Sequence, residues 1–130
     1  MAKRVLLITY SLVDNDAVGN DLRMQAAVLR EIGYEISIFA EHVDHKNAKT
    51  IATLDQAIDL VRRPDTCVIL HHSCYLPQLD NFLAHIQGPL IVRYHNITPP
   101  QYFPHNKHIQ RDLMMGRKQM FLLSLIFYLQ

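Results

Sequence analysis

The sequence predicts an α/β fold, a single Rossmann-like domain built on a doubly wound parallel sheet. Two observations carry that expectation. Four short apolar runs rich in branched residues alternate with longer stretches of helical periodicity, the pattern of strands joined by crossover helices. The runs are also apolar almost throughout, as strands must be when helices cover both faces of the sheet. A length of 130 residues accommodates one such domain and leaves no room for a second full one.

Each element follows from its own residues. The first strand is expected over 4–10, where Val5-Leu6-Leu7-Ile8 forms the apolar run. Leu22, Ala26, Leu29 and Ile32 then recur at helical spacing, and Gly33 stands where a left-handed cap is needed. A second strand covers 34–40. Ile51, Leu54, Ile58 and Val61 predict a helix over 51–61, with Pro64 just past its end. The third strand covers 67–72, and Leu79, Phe82, Leu83 and Ile86 place a shorter helix over 76–86 before the Gly88-Pro89 break. A fourth strand covers 89–94. Pro99, Pro100 and Pro104 keep 96–108 irregular, and a final helix is expected over 111–128. The crossovers of such a βαβαβαβ chain are right-handed.

Composition narrows the classes of function. A hydrophobic share of 49% with 19% charged residues is that of an ordinary globular domain. A net charge of +1 argues against nucleic acid as the main partner. The first apolar run is too short for a signal peptide, and no run reaches the roughly 18–20 apolar residues that span a bilayer. The expectation is a cytoplasmic protein, at most peripheral to the inner face of a membrane, with Cys67 and Cys74 as reduced thiols. Leu122, Leu123, Leu125, Ile126, Phe127 and Leu129 cluster at the end, and such a surface calls for a missing neighbouring domain or another chain to cover it. Residues 1–119 are therefore expected to form the domain and 120–130 an apolar tail with a truncated or frameshifted end.

Ligands of open α/β sheets bind beyond the carboxyl ends of the strands, which directs attention to 10–21, 40–44, 71–75 and 95–98. The first of these loops leads into a helix whose backbone N–H groups can approach a phosphate, with Gly19 permitting close contact. One glycine is far from G-x-G-x-x-G, and Asp14, Asp16 and Asp21 repel an anion unless turned away. A helix start capped by Asp16 or Asn20 is the plainer reading of the same residues. Arg93-Tyr94-His95-Asn96 brings a charged, titratable run to the end of a buried strand, where a histidine acts as donor, acid or base near neutral pH. A structural histidine at a strand end is the plainer alternative. Asn96-Ile97-Thr98 matches the glycosylation pattern, but Pro99 follows and no secretion signal precedes it.

Eight histidines raise the question of metal. His42 with His45, His71 with His72, and His105 with His108 are the close pairs. Zinc needs three or four converging ligands and neither cysteine lies in a C-x-x-C arrangement, so solvated loop histidines and no metal are expected. Neither a G-x-S-x-G elbow nor a P-loop is present. A dinucleotide site lacks its glycine fingerprint, and Glu41 is the only near candidate for a ribose anchor.

Val5-Leu6-Leu7-Ile8 with Asp16-Ala17-Val18-Gly19-Asn20-Asp21, Leu29-Arg30-Glu31-Ile32-Gly33-Tyr34-Glu35, and Phe39-Ala40-Glu41-His42 together resemble the opening of family 4 glycosyltransferases of GT-B fold. Leu90-Ile91-Val92-Arg93-Tyr94-His95-Asn96-Ile97-Thr98-Pro99-Pro100 is similar to the end of the fourth strand in that group and is the most specific part. The likeness covers most of 4–119, and Arg111 to Gln119 looks like the helix that follows. It implies the amino-terminal, acceptor-side half of a retaining enzyme that moves a sugar from a nucleotide-sugar to a glycan or lipid acceptor without metal or other cofactor. On that likeness His95 is the catalytic residue that hydrogen-bonds the transferred sugar, Gly19 and Asn20 form the donor-phosphate loop, and Asp16, Arg93 and Asn96 contact acceptor or sugar. The family's double glycine is Gly19-Asn20 here. Its donor half, with a paired-glutamate motif, is not in this sequence, so the chain is expected to be inactive alone. A non-catalytic ligand- or partner-binding module and a flavodoxin-like or dinucleotide-binding domain remain the other readings.

Overall fold

The computed structural model describes residues 3–128. Its elements run β1 (Arg4–Leu12), α1 (Ala17–Ile32), β2 (Glu35–Val43), α2 (Leu54–Val61), β3 (Thr66–His72), α3 (Leu79–His85), β4 (Leu90–Tyr94) and α4 (Lys107–Tyr128), with 3-10 turns at Ala48–Thr50 and Pro100–Tyr102. The four strands form one all-parallel sheet of order β2-β1-β3-β4. The chain adds β2 on one side of β1 and then β3 and β4 on the other, which makes the crevice beyond the carboxyl ends of β1 and β3 the expected ligand position.

The alternation of side chains across the pleat builds two cores. Leu6, Ile8, Phe39, Val68 and Leu70 pack against Ala57, Ile58 and Val61 of α2, Leu79 and Phe82 of α3, and Leu123 of α4. Val5, Leu7, Ile38, Ala40 and Ile69 face the other way and pack on Leu22 and Ala26 of α1. Side chains two apart on a strand share a face. His71 therefore follows Ile69 toward α1, and His72 follows Leu70 toward α4.

Several element ends differ from those the sequence predicts, each for a local reason. β1 runs on to Leu12 and β2 to Val43, because Ser11 and Leu12 keep pairing with His42 and Val43. α2 begins at Leu54 rather than Ile51: the Thr53 hydroxyl accepts from Gln56 N–H while the Gln56 side chain accepts from Thr53 N–H, a reciprocal cap that fixes the start. α3 begins at Leu79 rather than Leu76. The N–H and C=O of Leu76 are both bonded to the Gln119 carboxamide at 2.8 Å, and Pro77 has no N–H to offer a helix. α4 begins at Lys107, where the Asn106 side chain accepts from Ile109 N–H. α1 ends as predicted, with Gly33 at φ 108 and its N–H bonded to Arg30 O.

α4 continues without a break across position 119. Leu123 is buried in the core, whereas Phe121, Leu122 and Leu125 are exposed. Ile126, Phe127 and Leu129 of the expected apolar cluster lie outside the residues whose side chains are described. No helix among the described residues is long and apolar enough to cross a membrane.

Candidate functional site

Five polar side chains meet at the carboxyl ends of β1, β3 and β4, on the face of the sheet that α1 covers. Asp21 and Gln25 stand one turn apart on α1 and so project from one side of it. His71 ends β3 on that face, paired in register with Arg93 of β4. His95 follows β4, its N–H donating to His72 O at 2.9 Å, which holds the chain in strand-like register one residue further. His71 Nδ1 lies 3.0 Å from His95 Nε2, and His71 Nε2 lies 2.6 Å from Gln25 Oε1. The two imidazole planes lie within 20° of each other with centroids 5.2 Å apart, the edge-to-edge arrangement of an in-plane ring-to-ring hydrogen bond. Arg93 grips Asp21 with two donors, Nε to Oδ2 at 2.5 Å and Nη2 to Oδ1 at 3.1 Å. Asp21 Oδ2 stands 3.7 Å from each histidine.

Electrostatics follow from this packing. Arg93, by hydrogen bond and by charge, holds the Asp21 carboxyl below the usual range against a smaller effect of burial. His71 is pushed down to about 4, first by burial and then by its neighbour His95, with Asp21 pulling the other way. It is neutral at physiological pH. His72 is shifted in the same direction by burial, partly offset by its bond to Gln119.

The expectation of solvated loop histidines fails for one of the three pairs. His71 and His72 are each 1% exposed, because they occupy the last two positions of a central strand. Asp21, His71 and His95 also offer three metal-ligand atoms within 4.8 Å of one another, a convergence the sequence spacing does not reveal. Those atoms are already spoken for: Arg93 takes both carboxylate oxygens, and the two ring nitrogens bond each other. An ion would have to displace both contacts.

The other residues singled out in the sequence lie nearby in the chain but act differently. Asp16 caps α1, its Oδ2 accepting from Gly19 N–H at 3.2 Å, which takes up the backbone donor a phosphate would need at that position. Asn20 accepts from Arg23 at 3.5 Å, and Asn96 is exposed. The three acids of the first loop are each turned onto a donor: Asp14 to Lys46 at 3.1 Å, Asp16 to Gly19, and Asp21 to Arg93. Asp21 and His71 fall inside the strand-end windows without a role assigned to them, and Gln25 falls outside all four. The signal that finds them is the i, i+4 pair on α1 combined with the period-two continuation from Ile69 to His71.

On the opposite face of the same edge, Tyr10, Glu41, His42, Cys74, Tyr75 and Asp112 line a cavity of about 250 Å³. Glu41 Oε2 is sealed from solvent there without a hydrogen-bond partner, and burial raises the Cys74 thiol to about 11. A further cavity, about 460 Å³, runs beside edge strand β2 between Ile36 and Arg63. It lies away from the strand ends and from the histidines. We place the site at the strand ends, where the convergent polar groups and the shifted histidine are.

Compared with family models, with curated proteins and with solved structures, the chain matches none of them. Function is accordingly read from the side chains at the strand ends.

Proposed function

We propose that the chain is the acceptor-side domain of a retaining, nucleotide-sugar-dependent glycosyltransferase, with His95 contacting the transferred sugar. The observation that carries this reading is His95 itself, held by His71 beyond the carboxyl ends of the strands at the β1/β3 switch point, with one ring nitrogen left for a ligand. Around it the charges are internally paired, so the edge offers a neutral polar contact instead of a strong ionic one. That suits a hydroxylated ligand. On the other face of the same edge, the cavity lined by Tyr10, Glu41, His42 and Asp112 offers polar side chains and room for acceptor hydroxyls. In transfer, such a site orients the sugar while bond cleavage is assisted by donors elsewhere, so its contribution is positioning and electrostatics rather than covalent chemistry. The Asp16 cap on Gly19 favours a site that grips hydroxyls over one that grips phosphate.

Calorimetric titration with a panel of nucleotide-sugars tests this. A single open edge makes few contacts, so binding in the millimolar range is expected. His95→Ala should weaken it about three- to ten-fold, the loss of one hydrogen bond, with the melting curve unchanged. Binding that is indifferent to His95→Ala would remove His95 from the site.

A further inference from the structure

With the Gln25 carboxamide oxygen turned to the ring, the Gln25, His71 and His95 hydrogen bonds run in one direction. A carboxamide oxygen accepts and never donates, so Gln25 Oε1 at 2.6 Å places the ring proton of His71 on Nε2. His71 is buried and neutral, hence its Nδ1 is bare and accepts. The donor across the 3.0 Å contact is then Nε2 of His95. In its neutral form His95 then carries that single N–H on Nε2 and keeps a lone pair on Nδ1. That atom bonds no group among the described residues and is not sealed from solvent. Asp21 Oδ2, 3.7 Å from both nitrogens, faces the shared proton and favours it there.

We propose that Gln25 and His71 are positioning residues that fix His95 in its Nε2–H tautomer, so that His95 meets a ligand through a bare Nδ1 and binds a hydroxyl or other donor, not an anionic oxygen. The tautomer follows from the hydrogen bonds together with the burial that keeps His71 neutral; naming the donor as a sugar hydroxyl rests on the transferase reading. The consequence for that reading is specific. His95 holds the sugar and does not neutralise the departing phosphate. Arg93 has Nε and Nη2 committed to Asp21.

Long-range proton–nitrogen correlation spectra of the chain labelled with nitrogen-15 histidine test the tautomer, with His95→Gln assigning the signal among the eight histidines. At pH 7.5 the His95 Nε2 resonance is expected in the protonated region and Nδ1 in the unprotonated one. Gln25 is half-buried on α1, so its variants disturb the core little. Gln25→Leu removes the acceptor and should mix the two tautomers of His95. Gln25→Lys supplies a donor in its place and should reverse them. A protonated Nδ1 in the wild-type chain, or a His95 pattern unmoved by both variants, overturns the proposal. Adding a nucleotide-sugar at millimolar concentration should then shift His95 Nδ1. The expected tautomer without that shift upholds the relay and overturns its assignment to a sugar.

Discussion

Gly88→Ala is expected to cost the chain a large share of its folding free energy. A Cβ at position 88 would sit 2.1 Å from Thr66 O and 3.0 Å from Pro64 O, both backbone atoms that cannot swing aside. The segment after α3 has to pass this closely because Gln87 N–H bonds Val61 O and Pro89 O accepts from Val68 N–H, which seats the start of β4 beside β3. Relief would mean pulling β4 away from the sheet, and with it Arg93 and His95. Substitutions that force backbone apart belong to the class that costs more than about 4 kcal/mol, against a total of about 5–15 kcal/mol for a domain. Gly33→Ala is the control. Its φ of 108 strains a side chain, yet nothing lies within 4 Å, and about 1 kcal/mol is expected. Urea unfolding midpoints compare the two, and equal midpoints would contradict this account of the β3/β4 junction.

The second large effect is with pH. His71 titrates near 6.5 when unfolded and at about 4 in the native chain. Between those values the unfolded state binds a proton that the native state refuses, so stability rises with pH and is lost as pH falls from about 6.5 toward 4. The loss contributed by this group is up to about 3 kcal/mol. His72, shifted down by burial, acts in the same sense. Asp21 acts in a lower window: its carboxyl is depressed by Arg93, so its contribution is present above the ordinary value of 3.8 and lost as pH falls below it. Unfolding midpoints at pH 7, 5.5 and 4.5 should therefore decline well before carboxylates titrate, and His71→Asn should flatten the decline between 6.5 and 4. A profile level across that interval would show that His71 is not buried as described.

The strands were legible because their apolar runs are long enough to name a parallel sheet, and Gly33 and Gly88-Pro89 punctuate it. The strand ends were less so. Glu41 and His42 read as loop residues, yet they belong to an edge strand whose pairing with β1 depends on register rather than hydrophobicity. The start of α3 was hidden because what stops it, the Gln119 side chain, comes from 43 residues further along the chain. His95 and Arg93 stood out as polar residues at the end of an apolar run. Asp21, Gln25 and His71 did not, since a carboxylate and an amide on a helix and a histidine within a strand become a site only when α1 packs across β3. Local pattern names elements, and the register between them assembles the chemistry.

Backbone amide shift titration of the chain with nucleotide-sugars tests the strand-end site most directly. Perturbed residues are expected only at the strand ends, at Val13 to Gln25, His71 to Tyr75 and Arg93 to Thr98. Perturbation centred instead on the Ile36 to Arg63 groove, or none at millimolar ligand, would contradict it.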